Sequence, residues 1–424
     1  MWKKRFTALI LALTLILTFS IANAQQLTRQ NWVQKVGFRP NLEGLPFNTG
    51  DVIDGTNADQ AANFLPPSLV ILAKKYNLSM EVGKYQPIVP SNGYIAATNK
   101  YLGQPKITDT GKETRKSGIA NYTAGLPVLQ PKTGLEVAWN YHYSYNGDDS
   151  KNHFAVYWIS AKRGVERYEI WDWNFIMRGV NRTDIQPIPA FEDWAKKGIS
   201  YASLTVTQYP QDKKGFSALY YRYNEPKDQE GWIYLPQQRR PTRFTFGTRG
   251  DAWNNTDMLY EDVRGYLGYP EWQTWKLVKK TTMYAPMHTG IPYGEAAAKG
   301  AWDLDNAPHW NPRAKWEPRP IYVIEATPKF PDYPYSKMVF YIDAETFYIF
   351  AKECYDKKGL LWKVIMNLYN SSPSPTSKPL GIAGALAVDL LEEHATAFIW
   401  YSNQSNVGFK THEFSASVLQ KIGK

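Results

Sequence analysis

Cysteine is almost missing from this chain: Cys354 is the single one in 424 residues. No internal disulfide can form, so the fold must be held by burial and hydrogen bonding alone. Cys354 falls within a strand pattern and reads as a small buried hydrophobe. The six histidines (His142, His153, His288, His309, His394 and His412) fall in no H-E-x-x-H or H-x-H spacing, and no metal is expected. No G-x-S-x-G elbow and no phosphate loop occurs, and Gly247-Thr248-Arg249-Gly250 matches no nucleotide motif. Carboxylates are plentiful, so a pair assembled in space stays open. Nothing marks one, because Asp172, Asp303 and Asp305 beside tryptophans are equally good turn or surface residues. The reading is a non-enzyme with no catalytic residue and no cofactor. Blocks of like charge are also lacking. The 49 Lys and Arg are mixed with the 39 Asp and Glu along the chain, a solvated surface that disfavours nucleic acid. No repeat of 20–50 residues is present, against a propeller or solenoid.

What is present begins with a leader. Met1-Trp2-Lys3-Lys4-Arg5 is followed by an apolar run, Phe6 to Ile21, and by Ala22-Asn23-Ala24. This is the pattern of a cleaved secretory signal peptide over residues 1–24, with an extracytoplasmic destination, which in a bacterium is the periplasm. The alternative is a retained anchor, but the run is short for a membrane span. No cysteine at the cleavage site offers a lipid attachment. No later stretch is long and apolar enough to span a bilayer. Only peripheral or transient membrane contact is expected.

Aromatic residues are in surplus, with 16 Trp, 29 Tyr and 18 Phe. They suit strands, and they also line apolar or sugar-binding surfaces. The most regular stretch runs from Arg319 to Tyr369. Its four runs, Ile321–Thr327, Lys337–Ile342, Phe347–Tyr355 and Leu360–Tyr369, are separated by turns at Asp343–Thr346 and Asp356–Gly359, which predicts an antiparallel meander. Met338–Ile342 is apolar at every position, so that strand needs cover, or a ligand, on both faces. Further strands are expected at Leu135–Tyr145, His153–Ala161, Arg167–Met177, Tyr201–Tyr209, Phe216–Tyr223, Gly231–Leu235, Thr274–Tyr284 and Ala395–Tyr401. Short helices are expected at Leu69–Tyr76, Phe191–Lys197, Thr256–Tyr266 and Phe414–Lys421. Leu386–Glu393 fits either a helix or a strand, and Pro373–Pro379 reads as a loop. The stretch 25–125 is mostly irregular and is expected to wrap the sheet. The sum is one mainly β (α+β) domain over residues 25–424: a large curved antiparallel sheet, a half-open barrel with short helices and coil on its concave face.

Candidate ligand-binding residues follow from the aromatic strands. Trp171, Trp173 and Phe175 share one strand face, with Asp172 and Arg178 as an ion pair or as polar groups at a cavity lip. Tyr322, Ile324, Phe340, Ile342 and Trp362 belong to the central meander, and Trp139 to the expected strand before the first hairpin. Arg239 and Arg240 offer guanidinium forks for an acidic head group, or bond coil carbonyls. Trp302, Trp310 and Trp316, in the Gly290–Asn311 excursion and just beyond it, form a lid or plug the core.

A family resemblance enters here. Ala124-Gly125-Leu126-Pro127-Val128, Glu136-Val137-Ala138-Trp139-Asn140, Gln238-Arg239-Arg240-Pro241, Trp275–Val278 with Met283–Pro286, Tyr322–Thr327, Phe340–Asp343 and Leu361–Val364 occur in order along the mature chain. Together they resemble the secreted bacterial domain-of-unknown-function 1329 family, outer-membrane lipoprotein-sorting-like. Val128-Leu129 and Tyr141 depart from the Phe-Pro and His common in that family. The resemblance implies a fold like the periplasmic lipoprotein carriers and a lipid or other hydrophobic molecule as cargo. It also implies a resistance-nodulation-type exporter and an outer-membrane protein as partners. Helix Leu69–Tyr76 and the Gly290–Asn311 excursion are the expected mobile cover. The alternative is an extracytoplasmic carbohydrate- or envelope-polymer-binding protein that uses exposed aromatic platforms.

Overall fold

The computed structural model describes residues 26–109, 118–226, 229–245, 250–372 and 380–422. The leader and the Pro373–Pro379 loop lie outside them. Fifteen strands form one sheet, here numbered in chain order: β1 Val52–Ile53, β2 Met80–Val82, β3 Asp149–Ser160, β4 Gly164–Ile176, β5 Ile199–Tyr209, β6 Ser217–Tyr223, β7 Glu230–Leu235, β8 Arg240–Thr245, β9 Gln273–Ala285, β10 Ala314–Pro328, β11 Lys337–Asp343, β12 Ile349–Tyr355, β13 Leu361–Ser371, β14 Leu380–Asp389 and β15 His394–Ser405. The helices are α1 Trp32–Lys35, α2 Pro67–Tyr76, α3 Asn92–Tyr101, α4 Gly134–His142, α5 Glu192–Lys197, α6 Glu295–Gly300 and α7 Ala416–Ile422.

Two meanders make up the sheet. Strands β3 to β8 run side by side in chain order, as do β10 to β15. They join where β15 pairs antiparallel with β3, from His394 opposite Ser160 to Ser405 opposite Ser150. Strand β9 pairs with β10, and β1 and β2 extend that edge through a parallel pairing of β2 with β10. Every other pairing along the order is antiparallel. The outermost strands, β1 and β8, do not meet, so the sheet stays open. The turns behave as their residues predict: Gly359 and Gly198 are left-handed at φ 81° and 68°.

Both faces of the sheet are buried, as the all-apolar Met338–Ile342 run requires. Met338, Phe340 and Ile342 enter one core, and Val339 and Tyr341 pack into the other. Helix α2 and the tryptophans Trp302, Trp310 and Trp316 cover the second of these faces. The first is covered by Trp32, Tyr94, Val137 and the segment Met258–Tyr266. A smaller core closes the β5–β8 end with Trp194 of α5 and Leu419 of α7. Cys354 is fully buried, and burial pushes its thiol up to about 12.

Three expectations are corrected. Leu135–Tyr145 is not a strand but helix α4. Thr133 and Glu136 form a reciprocal capping box, with Glu136 N donating to Thr133 Oγ1 at 3.2 Å and Thr133 N donating to Glu136 Oε2 at 3.0 Å. That local start outweighs the alternating apolar pattern. Gly134 is required there, because a Cβ would lie 2.7 Å from the Lys276 backbone. The second correction is Thr256–Tyr266, which holds only a short 3-10 stretch, Tyr260–Gly265, broken by extended Val263 and left-handed Arg264. Asp262 bonds the Leu259 N–H at 2.9 Å, so side chain and backbone compete with helix. The third lies within 85–122, read as irregular, where α3 forms behind a Ser91 cap that accepts from Tyr94 N at 3.1 Å.

Candidate functional site

The seam between the two meanders carries a row of aromatic residues. Trp400 of β15 lies opposite Phe154 of β3, and Phe154 lies opposite Trp171 of β4. Phe154 and Trp400 stack, with centroids 4.8 Å apart and planes at 17°. The neighbouring row is polar: Asn403 opposite Asn152, and Asn152 opposite Trp173. Strand alternation alone would send Trp400 and Asn403 to opposite faces. A register shift between Trp400 and Ser402 returns them to one face, as a bulge does.

Of these rows, Trp400, Asn403, Asn152 and Trp173 face a chamber of about 60 Å³, or about 710 Å³ counted out to its mouth. Its walls are Trp173, Phe175 and Met177 from β4 and the chain after it, Asn367 and Tyr369 of β13, Ile382 and Ala385 of β14, and Phe398, Trp400 and Asn403 of β15. Its roof is Trp253, Met258, Val263 and Arg264. Trp253 lies flat on Phe398 (5.6 Å, 7°) and meets Trp173 at 4.8 Å and Trp171 at 5.3 Å. At roughly 10–15 Å³ per water, the chamber's inner space holds only a handful of waters.

The roof is pinned at two points. Asp257 accepts from Thr396 Oγ1 at 2.6 Å, and His394 Nδ1 lies 2.8 Å away. Lys363 Nζ donates to the Asp257 carbonyl at 2.8 Å. Farther along, buried Asp262 pairs with Lys352 Nζ and accepts from Tyr335 Oη at 2.6 Å. Asp257 therefore serves as an anchor of the roof.

The polar groups in the lining are specific. Asn152 Nδ2 donates to the Trp173 carbonyl at 2.9 Å, and its Oδ1 accepts from Trp400 Nε1 at 3.2 Å. Asn367 Nδ2 donates to the Ile349 carbonyl at 2.9 Å. The Oδ1 atoms of Asn367 and Asn403 are buried and accept no hydrogen bond. A buried acceptor without a partner costs about 1–3 kcal/mol, so each calls for a donor from a guest or from water. Among the described residues the lining contains no histidine and no carboxylate, and Ser150 has no base beside it. No group of three His, Cys, Asp or Glu among them can hold a metal. No helix among them is long and apolar enough to cross a membrane.

A family model described as "Protein of unknown function (DUF1329)" matches residues 52–420. The chain belongs to this family. An uncharacterised protein of Pseudomonas aeruginosa is 24% identical over 326 residues, which cover 74% of this chain and 67% of that one. Two solved structures are also similar. A candidate outer membrane lipoprotein-sorting protein domain from Vibrio parahaemolyticus has 16% identity and a TM-score of 0.47, covering 68% of this chain and 98% of its own. A DUF1329 family protein from Desulfovibrio piger has 17% identity and a TM-score of 0.47, covering 68% and 97%.

In this DUF1329 chain, the site residues named from sequence divide into three groups. Trp173 and Phe175 line the chamber, and Trp171 packs against the roof tryptophan. Tyr322, Ile324, Phe340 and Ile342 share the same core but are fully packed: Tyr322 meets Phe38 at 5.2 Å, and Phe340 meets Trp275 at 5.4 Å and Tyr266 at 5.7 Å. Trp362 sits against Tyr335 and donates to Asp389 at 2.8 Å. Trp139, on α4, is buried beside Tyr143 in a separate cluster. Arg239 and Arg240 are exposed near the outer edge of the sheet and do not line the chamber. Asp172 and Arg178 do not pair. Asp172 accepts from Gln208 Nε2 at 2.6 Å and lies 2.7 Å from His153 Nδ1, whereas Arg178 donates to the Ser144 carbonyl at 2.8 Å. Of the expected cover, α2 and most of the Gly290–Asn311 excursion pack on the opposite face, while Tyr293 packs against the chamber-side core and donates to the Ile382 carbonyl at 3.3 Å. The roof is 253–264 instead.

Asn152, Asn367, Asn403, Trp253 and Arg264 were not legible as site residues. Phe398 and Trp400 were within reach, since Ala395–Tyr401 reads as a strand with both on one face.

Proposed function

We propose that this protein binds a lipid or other hydrophobic molecule outside the cytoplasm and carries it within the cell envelope. The observation that supports this reading most is the seam chamber. It is apolar and aromatic, it is closed by a roof on two polar anchors, and it keeps two buried acceptors without donors. An acyl chain gains about 0.8 kcal/mol per buried CH₂, so about ten methylenes suffice for micromolar binding once the roof yields. The resistance-nodulation-type exporter and the outer-membrane protein implied by the family resemblance enter this reading as donor and acceptor of the cargo. The aromatic-platform alternative needs ring faces laid open to solvent. Trp173, Phe398 and Trp400 are buried, which favours an enclosed guest.

Mass spectrometry of organic extracts tests the reading. Protein purified from bacterial periplasm is expected to release about one lipid per chain. An extract no richer than that of an unrelated periplasmic protein counts against it.

A further inference from the structure

A second pocket, of about 70 Å³, adjoins the chamber and shares Met177 and Arg264 with it. Its lining includes Arg178, Arg222 and His142 and, among the described residues, no carboxylate. An open vestibule of about 380 Å³ shares Tyr143, Asn181 and Asn224 with this second pocket. The three spaces form a series from vestibule to arginine pocket to aromatic chamber. The vestibule's acid, Glu225, is exposed on its solvent side.

The three guanidiniums share their pocket with no carboxylate among the described residues, although the buried Glu271 behind the lining feels Arg222. Arg222 is buried, stacks 4.0 Å from the Tyr269 ring and donates to the Leu267 and Gly268 carbonyls. Arg178 donates to the carbonyls of Ser144 and His142. Arg264 makes no side-chain hydrogen bond or ion pair among the described residues, and it holds a left-handed φ of 60°. A non-glycine residue in that region costs about 1 kcal/mol or more and persists where its surroundings impose it. The buried acid Glu271 lies outside the lining, where it accepts from Gly118 N at 3.0 Å. His142 reports the same field: burial first, and then Arg222, Arg178 and Arg264, hold its pKa well below the usual value. A partly desolvated cationic pocket with no carboxylate in its lining is built for an anion.

We propose that the guest is an anionic amphiphile, its phosphate or carboxylate head held by Arg178, Arg222 and Arg264 and its tail passing Met177 into the aromatic chamber. This rests on the hydrophobic-guest reading above. Arg264 is the hinge of the arrangement, since it touches both spaces.

The test compares laurate with dodecanol, equal in tail length and different in head charge, by calorimetric titration at about pH 8, where laurate is ionised. Laurate is expected to bind about tenfold more tightly, with a preference that shrinks in high salt. Arg264→Asn, chosen because Asn tolerates the left-handed region, is expected to remove most of that preference, weakening laurate binding more than dodecanol binding. Arg178→Gln serves as a second variant with the same expected direction. Equal affinity of wild-type protein for the two ligands overturns the proposal and leaves the hydrophobic-guest reading standing. Binding of neither ligand overturns both. Inorganic phosphate that binds at micromolar concentration without competing with laurate marks a site for free anions, and also overturns the proposal.

Discussion

His394 Nδ1 lies 2.8 Å from the Asp257 carboxylate, and this contact ties strand β15 to the roof of the chamber. Glu166 stands on the other side of the ring, 3.6 Å from Nε2. The hydrogen bond to Asp257 is the largest influence on His394 and raises its pKa, against the opposing effect of burial. A pKa raised in the folded state means that protonated His394 stabilises the fold. That contribution is complete below the unfolded value near 6.5 and is lost as pH rises through the folded value. The roof should therefore be held more firmly at about pH 6 than at about pH 8. Urea denaturation of wild type and His394→Gln at both values checks this. The gap between the two proteins should be wider at the acidic pH, and an equal gap at both contradicts the assignment.

Lys352 and Asp262 anchor the other end of the roof, and both side chains are fully buried. Lys352→Met leaves Asp262 charged and unpaired in the core, and should cost about 3–5 kcal/mol by urea denaturation. Adding Asp262→Asn, which keeps an acceptor for Leu259 N, should recover more than half of the loss. Additive losses would show that the two side chains do not act as a pair.

Trp253 is the roof's largest contact with the floor. Trp253→Ala should cost about 2 kcal/mol, less than a fully buried Trp because its ring is partly exposed. The same change should widen the chamber and increase uptake of a hydrophobic fluorescent dye. Leu391→Ala, at an exposed turn, serves as the control and should do neither. A Trp253→Ala protein that takes up no more dye than wild type would place the dye site elsewhere.

The sheet was largely legible because its signals are local. Asp356–Gly359, Pro210–Gly215 and the apolar runs between such turns fix strands without reference to anything distant. The site was not, because it depends on features that no short window contains. The pairing of β15 with β3 brings Trp400 beside Phe154, 246 positions apart in the chain. The register shift after Trp400 turns Asn403 to the same face as Asn152. Strand β11 reads as an apolar run, whereas the sequence around β14 marks only Leu386–Glu393, as helix or strand; yet Phe340 is consumed by packing and Ala385 lines a void. Thr133 and Glu136 spell a helix start in the sequence itself, and their capping box overrides the alternating pattern around Trp139.

The most direct measurement is a titration of delipidated protein with a fluorescent fatty acid, run beside Ala385→Leu. The added carbons of leucine at this buried β14 position point the substitution at the void itself. The account predicts saturable single-site binding at micromolar concentration or below, weakened at least about tenfold by Ala385→Leu with the melting temperature unchanged. No saturable binding to wild type, or equal binding to both proteins, would contradict it.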